Sequence, residues 1–435
     1  MTILQRADSA SPAPWTCPFC PLLCDTFTAA PAARDALLGL AGSDCPRAAA
    51  ALARFSAAPP VASPTLGGAP CNLDNALARA AQLLAASRQP LFAGLGTDLA
   101  GARALYPLAC ATGAVSDAAQ GAALMHGLNA MQDRGAFTTT FAEVRTRADL
   151  IVCIGGWPGT NFPELFARFG IGEAGTPARR IVVIGGDATT LPRDVNGVAV
   201  EALPTEGDLF DSVAMLAAHV AARPLPPHAD GAVLGALAAS LRAARYAVIV
   251  WQALPLPAHG ALIVEAINRV VDSLNRSTRA AAFPLGGADG SATVNQVVAW
   301  LSGLPLRSRA GPLGLEHEPL RFDAARLLAD GAVDALLWIA SFGTEPLPPA
   351  IITTMALPMV VLGHPSWPER MTLPAGAVFI PVSTPGIGSA AHLFRTDGVV
   401  LMPLSPARPD ALPTVAEVLA KLTPAVRALR ERAAA

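Results

Sequence analysis

Short runs of Val, Ile and Leu that stop at glycine recur along this chain, and helix-patterned sequence separates them. Leu150–Ile154 ends in Gly155-Gly156, and Arg180–Ile184 ends in Gly185-Gly186-Asp187. Residues 90–94 run into Gly94-x-Gly96, and similar runs lie at 247–251, 335–339, 359–362 and 378–380. Between them, residues 73–87 carry an amphipathic helix pattern with Asn72 or Asp74 as its cap, and residues 99–112 a second one that Gly113 stops. Repeated strand–helix–strand units imply parallel sheets covered by helices, and strands this uniformly apolar are buried on both faces. The pattern predicts an α/β protein of two doubly wound parallel-sheet lobes behind a small Cys-rich module. The lobes are expected at 58–222 and 228–435, with Pro-rich 223–227 as linker and the C-terminal part able to return to the first lobe.

At 435 residues the chain has ample material for such cores. With 52% apolar residues and a mean hydropathy of +0.43, a membrane protein has to be considered. No apolar run reaches the ~18–20 residues of a spanning helix. Gln252 and prolines interrupt residues 247–264, and prolines break 346–363. Net charge is −2, and Lys421 is the only lysine among 31 cationic residues, which excludes a basic nucleic-acid footprint. Charged residues are only 15%, a surface that points to cover by partner proteins. Residues 1–14 lack a basic start followed by an apolar core, so they read as a flexible tail and the expected compartment is the cytoplasm.

Four of the seven cysteines fall together, as Cys17-x2-Cys20-x3-Cys24 with Cys45 further on, in a module spanning 15–57. Three thiolates within eight residues surround one point, and a distant fourth closes the site. That suits a 4Fe–4S cluster, each corner of which takes one thiolate. A zinc ribbon pairs two separated Cys-x2-Cys knuckles instead, and zinc or a site that no longer holds metal are the alternatives. Pro18, Pro21 and Pro46 keep helix away from the ligands. Cys153, within an apolar strand, and Cys110, within a helical pattern, read as buried structural thiols.

In doubly wound sheets ligands bind where loops leave the carboxyl ends of strands. Gly155, Gly156, Gly185, Gly186 and Asp187 are therefore the candidate cofactor-loop residues, because glycine lets backbone approach a phosphate closely. Strand termination alone would also explain these glycines. Gly94-x-Gly96 does not extend to a dinucleotide fingerprint, and no P-loop, Gly-x-Ser-x-Gly elbow or His-Glu-x-x-His motif occurs. Histidines stand singly at 126, 219, 228, 259, 317, 364 and 392, and Glu316-His317-Glu318 reads as a solvated loop. Nothing points to autonomous hydrolysis.

A cysteine module followed by two α/β lobes resembles the molybdopterin and tungstopterin oxidoreductases. Within them the chain is similar to the B subunit of formylmethanofuran dehydrogenase, and most to its counterpart in the bacterial formyltransferase/hydrolase complex. Besides the cysteines, the resemblance rests on Met131-Gln132-Asp133-x-Gly135, Arg147-Ala148-Asp149-Leu150-Ile151-Val152 and Asn295-Gln296-x3-Trp300-x2-Gly303-x-Pro305. Residues 373–381 and Phe394-Arg395-x-Asp397-Gly398-Val399 complete it. The order and spacing of these segments are specific; no single one is.

The dehydrogenases hold Mo or W through a bis-pterin and one cysteine or selenocysteine shortly before the Gln-Asp-x-Gly stretch. That position falls near Ala123 here, where a methyl cannot bind metal; no other cysteine is in register, and His126 is read as structural. Trp157 and Phe162 are expected to fill space left to a cofactor or substrate channel. The resemblance thus implies a non-redox structural and interaction subunit, without Mo/W-pterin. Its partners would be the amidohydrolase-like A, formyltransferase and C subunits, which together convert formyl-tetrahydromethanopterin to formate through a methanofuran-like coenzyme. The alternative is a true pterin-dependent dehydrogenase subunit. Arg145, Arg147 and Arg395 are candidate contacts for a polyglutamate tail on the coenzyme, with ordinary ion pairing as the competing role.

Overall fold

A computed structural model describes residues 14–31, 38–55, 62–343, 357–367 and 373–435. The expected tail, apart from Pro14, lies outside the described residues.

The glycine-terminated apolar runs become the central strands of two sheets. In the six-stranded sheet the order is Ala280–Leu285, Ala247–Gln252, Leu150–Ile154, Arg180–Ile184, Val198–Leu203, Asp194–Val195. All but the last are parallel, in the register Ala247↔Leu150 and Leu150↔Arg180. Leu150–Ile154 and Ala247–Gln252 are buried at every residue, as expected of strands with helices on both faces. The nine-stranded sheet places Pro90–Gly96 beside Ala335–Ala340, followed by Met359–Gly363 and Val378–Pro381, all parallel. Short antiparallel hairpins close both of its edges.

The C-terminal part does return to the sheet of Pro90–Gly96, as the sequence reading allowed, but the lobes are not the consecutive segments 58–222 and 228–435. The chain starts the nine-stranded sheet with the edge hairpin Thr65–Leu66 and Ala69–Pro70, adds Pro90–Gly96 and Val115–Ser116, and leaves to build the whole six-stranded sheet. It returns only at Ser308–Gly311. Residues 223–227 therefore do not separate domains: the strands on either side of them share one sheet, since Ala247–Gln252 pairs with Leu150–Ile154. Composition cannot reveal this, because a Pro-rich crossover within a lobe and a linker between lobes look alike. The 14–55 region is not a separate module either. Trp15, Phe19, Leu22 and Phe27 share one buried cluster with Ile151, Val183, Val250 and Phe283 of the six-stranded sheet.

Local signals set the helices. Asn72 caps Leu73–Ala86 by accepting from the Asn75 backbone N–H at 2.8 Å, and Gly113 ends Leu99–Thr112 at φ 67°. Thr414 and Glu417 form a capping box on Val415–Ala434. That helix buries Val415, Val418, Leu419, Leu422 and Val426 against the nine-stranded lobe. Among the described residues no helix is long and apolar enough to cross a membrane.

Candidate functional site

Both sheets reverse their winding where the lobes meet, the six-stranded one between Leu150–Ile154 and Ala247–Gln252, the nine-stranded one between Pro90–Gly96 and Ala335–Ala340. Crevices at such points are where doubly wound sheets take ligands. A cavity of about 500 Å3 lies there. Its walls come from Gly121–Arg134, from Trp251 and Gln252 at the end of one strand, and from Ala282 and Leu285 on the neighbouring strand. The segment 286–289 and the first turns of Ser291–Ser302 complete it. Gly290 lets this segment cross the end of Pro90–Gly96, because a Cβ there would stand 2.0 Å from the Thr97 carbonyl oxygen.

The lining is apolar, with Leu124, Leu128, Met131 and Leu254 interrupted by side-chain amides. Asn161 donates through Nδ2 to Gln252 Oε1 at 2.9 Å, joining the loop after Cys153 to the neighbouring strand. Arg47 and Asp289 are the charged residues of the wall, and the Arg47 Nε is given to the Phe19 carbonyl at 2.7 Å. Sequence reading missed the amides as a set, since neutral side chains carry no spacing motif. The one sign was Gln252, a polar residue ending an otherwise apolar strand.

Ala123 lines this cavity from Gly121–Arg134. Cys153 is buried in the core beneath the six-stranded sheet, and Cys110 is exposed beside Tyr106, not buried as expected. Neither is part of the wall. His126 is buried, and that burial lowers its pKa. Phe162 does face the cavity, whereas Trp157 turns away and stacks on Phe166 with ring centroids 4.4 Å apart.

The candidate cofactor loops sit elsewhere. Gly155, Gly156, Gly185 and Gly186 pack against each other and Leu209, so closely that a Cβ on Gly186 would lie 2.8 Å from the Gly156 Cα. Asp187 caps a short turn by accepting from the Thr189 backbone N–H at 2.8 Å. None of the five lines the cavity. A metal bis-pterin would need a thiolate for its metal and cations or N–H cradles for its phosphates. With Ala123 near the position that the resemblance gives to the metal ligand, no cysteine in the wall, and Arg47 its one cation among the described residues, the residues present do not fit that group.

The four N-terminal cysteines behave differently. The Cys17 backbone N–H donates to the Cys24 carbonyl at 2.9 Å, folding the loop so that its thiols face inward. Cys45 arrives at the start of Pro46–Leu52, its N–H held by Ser43 Oγ at 3.0 Å. All four are free and buried, and they line one small cavity with Phe19, Leu22, Phe27 and Arg47. Burial, helped by the neighbouring sulfurs, pushes the thiols up: Cys20 to about 11, Cys24 to about 12, and Cys17 well above its ordinary value. Among the described residues no three His, Cys, Asp or Glu side chains are set for a single ion. Four buried thiols around one cavity are the donor set a polynuclear iron–sulfur cluster uses, and by donor chemistry the residues fit that group.

The three candidate arginines are committed within the chain. Arg145 pairs with Glu173, Arg147 with Glu143 at 3.7 Å, and Arg395 with buried Asp397 at 2.6 Å while stacking over Phe141. The competing role, ordinary ion pairing, is present at all three guanidinium groups. Glu316 and His317 belong to the strand Gly314–His317, not a solvated loop; Glu316 pairs with Arg309 and the His317 ring meets the Arg307 carbonyl.

No protein-family model matches the chain. The Fhc B subunit of the formyltransferase/hydrolase complex of Methylorubrum extorquens is 32% identical over 365 residues, covering 83% of this chain and 96% of that protein. The B subunit of the tungsten-containing formylmethanofuran dehydrogenase 2 of Methanocaldococcus jannaschii is 26% identical over 366 residues, covering 75% and 77%. In structure the chain matches the formyltransferase/hydrolase complex (FhcABCD) from Methylorubrum extorquens, solved with methylofuran, at a TM-score of 0.72 and 30% identity. That match covers 86% of this chain and all of the other. Acetylene hydratase from Pelobacter acetylenicus matches at 0.64 with 13% identity over 96% of this chain and 70% of that one, a likeness of fold. The chain belongs to the family of formyltransferase/hydrolase complex B subunits, which is homologous to the B subunits of formylmethanofuran dehydrogenase.

Proposed function

We propose that this chain is the non-redox B subunit of a cytoplasmic formyltransferase/hydrolase assembly. Its role there is to give formyltransferase, amidohydrolase-like and C subunits a common scaffold. The assembly moves a formyl group from formyl-tetrahydromethanopterin to a methanofuran-like coenzyme and releases formate. The observation that carries the reading is the interlobe cavity, lined by Ala123 near the position that the resemblance gives to the metal ligand, with no cysteine among the described residues of its wall. The dehydrogenase fold is kept, while the residues that would bind its redox centre are replaced. In this reading Cys17, Cys20, Cys24 and Cys45 hold a 4Fe–4S cluster as a staple that ties the segments around these cysteines to the six-stranded lobe.

Affinity purification of the tagged full chain from its own cells tests the reading. Formyltransferase and hydrolase subunits are expected to co-purify in fixed ratio, with Mo and W far below one atom per chain. Stoichiometric Mo or W, or a chain purified without those partners, would overturn it.

A further inference from the structure

The interlobe cavity is amide-rich, and its amides are only partly used. Asn161 and Gln252 spend one hydrogen bond on each other, leaving Asn161 Oδ1 and Gln252 Nε2 open. Asn268 spends Nδ2 on the Gly135 carbonyl at 3.2 Å, and Asn295 spends Oδ1 on the Leu306 N–H at 3.0 Å. Gln120 and Gln296 form no side-chain hydrogen bond among the described residues. Six carboxamides thus offer spare donors and spare acceptors around one apolar space.

Carboxamides both donate and accept, so they recognise groups of their own kind: lactams, amides and the edges of neutral heterocycles. The charge of the wall points the same way, because its two charged residues, Arg47 and Asp289, are of opposite sign and leave no net charge. An anion would lose its hydration here against a wall with no excess of positive charge to replace it. The apolar wall, with Trp251 packed over Gly127, suits a flat ring, and about 500 Å3 lies within the range of small-molecule sites. Met131 and Leu254 are 49% and 60% exposed, which places flexible apolar side chains at an open entrance.

We propose that this cavity is a binding site for an uncharged one- or two-ring compound bearing an amide or lactam edge. It stands apart from the scaffold reading, because ligand binding can be measured whether or not the partners assemble.

The test uses the purified full chain and a matched pair of probes, indole-3-carboxamide and indole-3-carboxylate, by isothermal titration calorimetry. The carboxamide is expected to bind at least tenfold more tightly than the carboxylate. Ala123→Phe, which fills the cavity, should weaken the carboxamide at least tenfold. Gln296→Leu sits on a partly exposed helix face and leaves the fold intact, so it provides a second reading, with a loss of several-fold. Equal affinity for both probes, no binding of either, or carboxamide binding unchanged by both substitutions would overturn the proposal.

Discussion

The Asp149 carboxylate holds Tyr246 in place: its Oδ1 accepts from the Tyr246 backbone N–H at 2.9 Å, and its Oδ2 from that of Arg245 at 2.9 Å. Two N–H groups at the start of Ala247–Gln252 are thereby fixed by the residue that precedes Leu150–Ile154. The register Ala247↔Leu150 follows directly. Tyr246 is anchored again at its hydroxyl, which donates to Thr139 Oγ1 at 2.8 Å. Asp149→Ala should lower unfolding stability by about 2–3 kcal/mol, because two charge-assisted bonds are lost together. Asp149→Asn, which keeps one acceptor, should cost roughly half as much. Denaturant unfolding measures both, and a loss below about 0.5 kcal/mol for the alanine variant would contradict this role.

That tie also explains what the sequence could and could not disclose. Buried strands, helix caps and the doubly wound class were readable from residues such as Leu150–Ile154, Asn72 and Gly113, where local periodicity and backbone chemistry decide the outcome. The four cysteines were readable because spacing alone brings three of them together. Lobe membership was not, since the pairing of Leu150–Ile154 with Ala247–Gln252 is non-local and a proline-rich crossover looks like a linker. The glycine pairs at 155–156 and 185–186 misled for a related reason. Glycine answers equally to a phosphate and to another loop, and here each pair meets the other.

Arginines that look alike in sequence should differ sharply in weight. Arg395 is 12% exposed, forks onto Asp397, whose side chain is fully buried, and covers the Phe141 ring at 4.9 Å. Removing it strands a buried carboxylate, so Arg395→Ala should cost about 3–5 kcal/mol. Arg145 and Glu173 are 43% and 44% exposed, and Arg145→Ala should cost less than about 1 kcal/mol. Thermal unfolding of the two variants side by side gives the contrast. Similar losses would mean that the Arg395 pair is no more than a surface contact.

Asp117 gives the protein a pH signature. Its carboxyl is buried beside Arg307 and accepts from the Ala324 N–H at 2.9 Å. Burial pushes it up from 3.8 to about 6, against the pull of the Arg307 guanidinium. A carboxyl whose pKa is raised on folding binds more protons folded than unfolded between pH 4 and 6. Its contribution to stability is therefore complete below pH 4 and falls as pH rises through 6. Asp117→Asn removes this term. Relative to the parent chain, the variant's unfolding free energy should rise more, or fall less, from pH 4 to 6, even though its absolute stability is lower for want of the Arg307 partner. Parallel curves over that range would show that Asp117 does not titrate there.

The cysteine cavity makes the sharpest prediction about metal. Anaerobic reconstitution of the full chain with ferrous iron and sulfide should load about four iron atoms per chain. Cys20→Ser and Cys45→Ser each remove one of the four thiols that line the cavity and should lower the iron content well below that of the parent. Cys153→Ser should not, because Cys153 is buried in the strand Leu150–Ile154 and does not line that cavity. Loading should also protect the backbone N–H of Cys17 and of Leu23, which close the loop onto the Cys24 and Cys20 carbonyls at 2.9 and 3.1 Å, from hydrogen exchange. A staple predicts that this protection is lost on chelation while the partner subunits still co-purify. Iron uptake unaffected by Cys20→Ser and Cys45→Ser would place the metal elsewhere, and uptake of a single zinc ion instead of iron would make the site mononuclear.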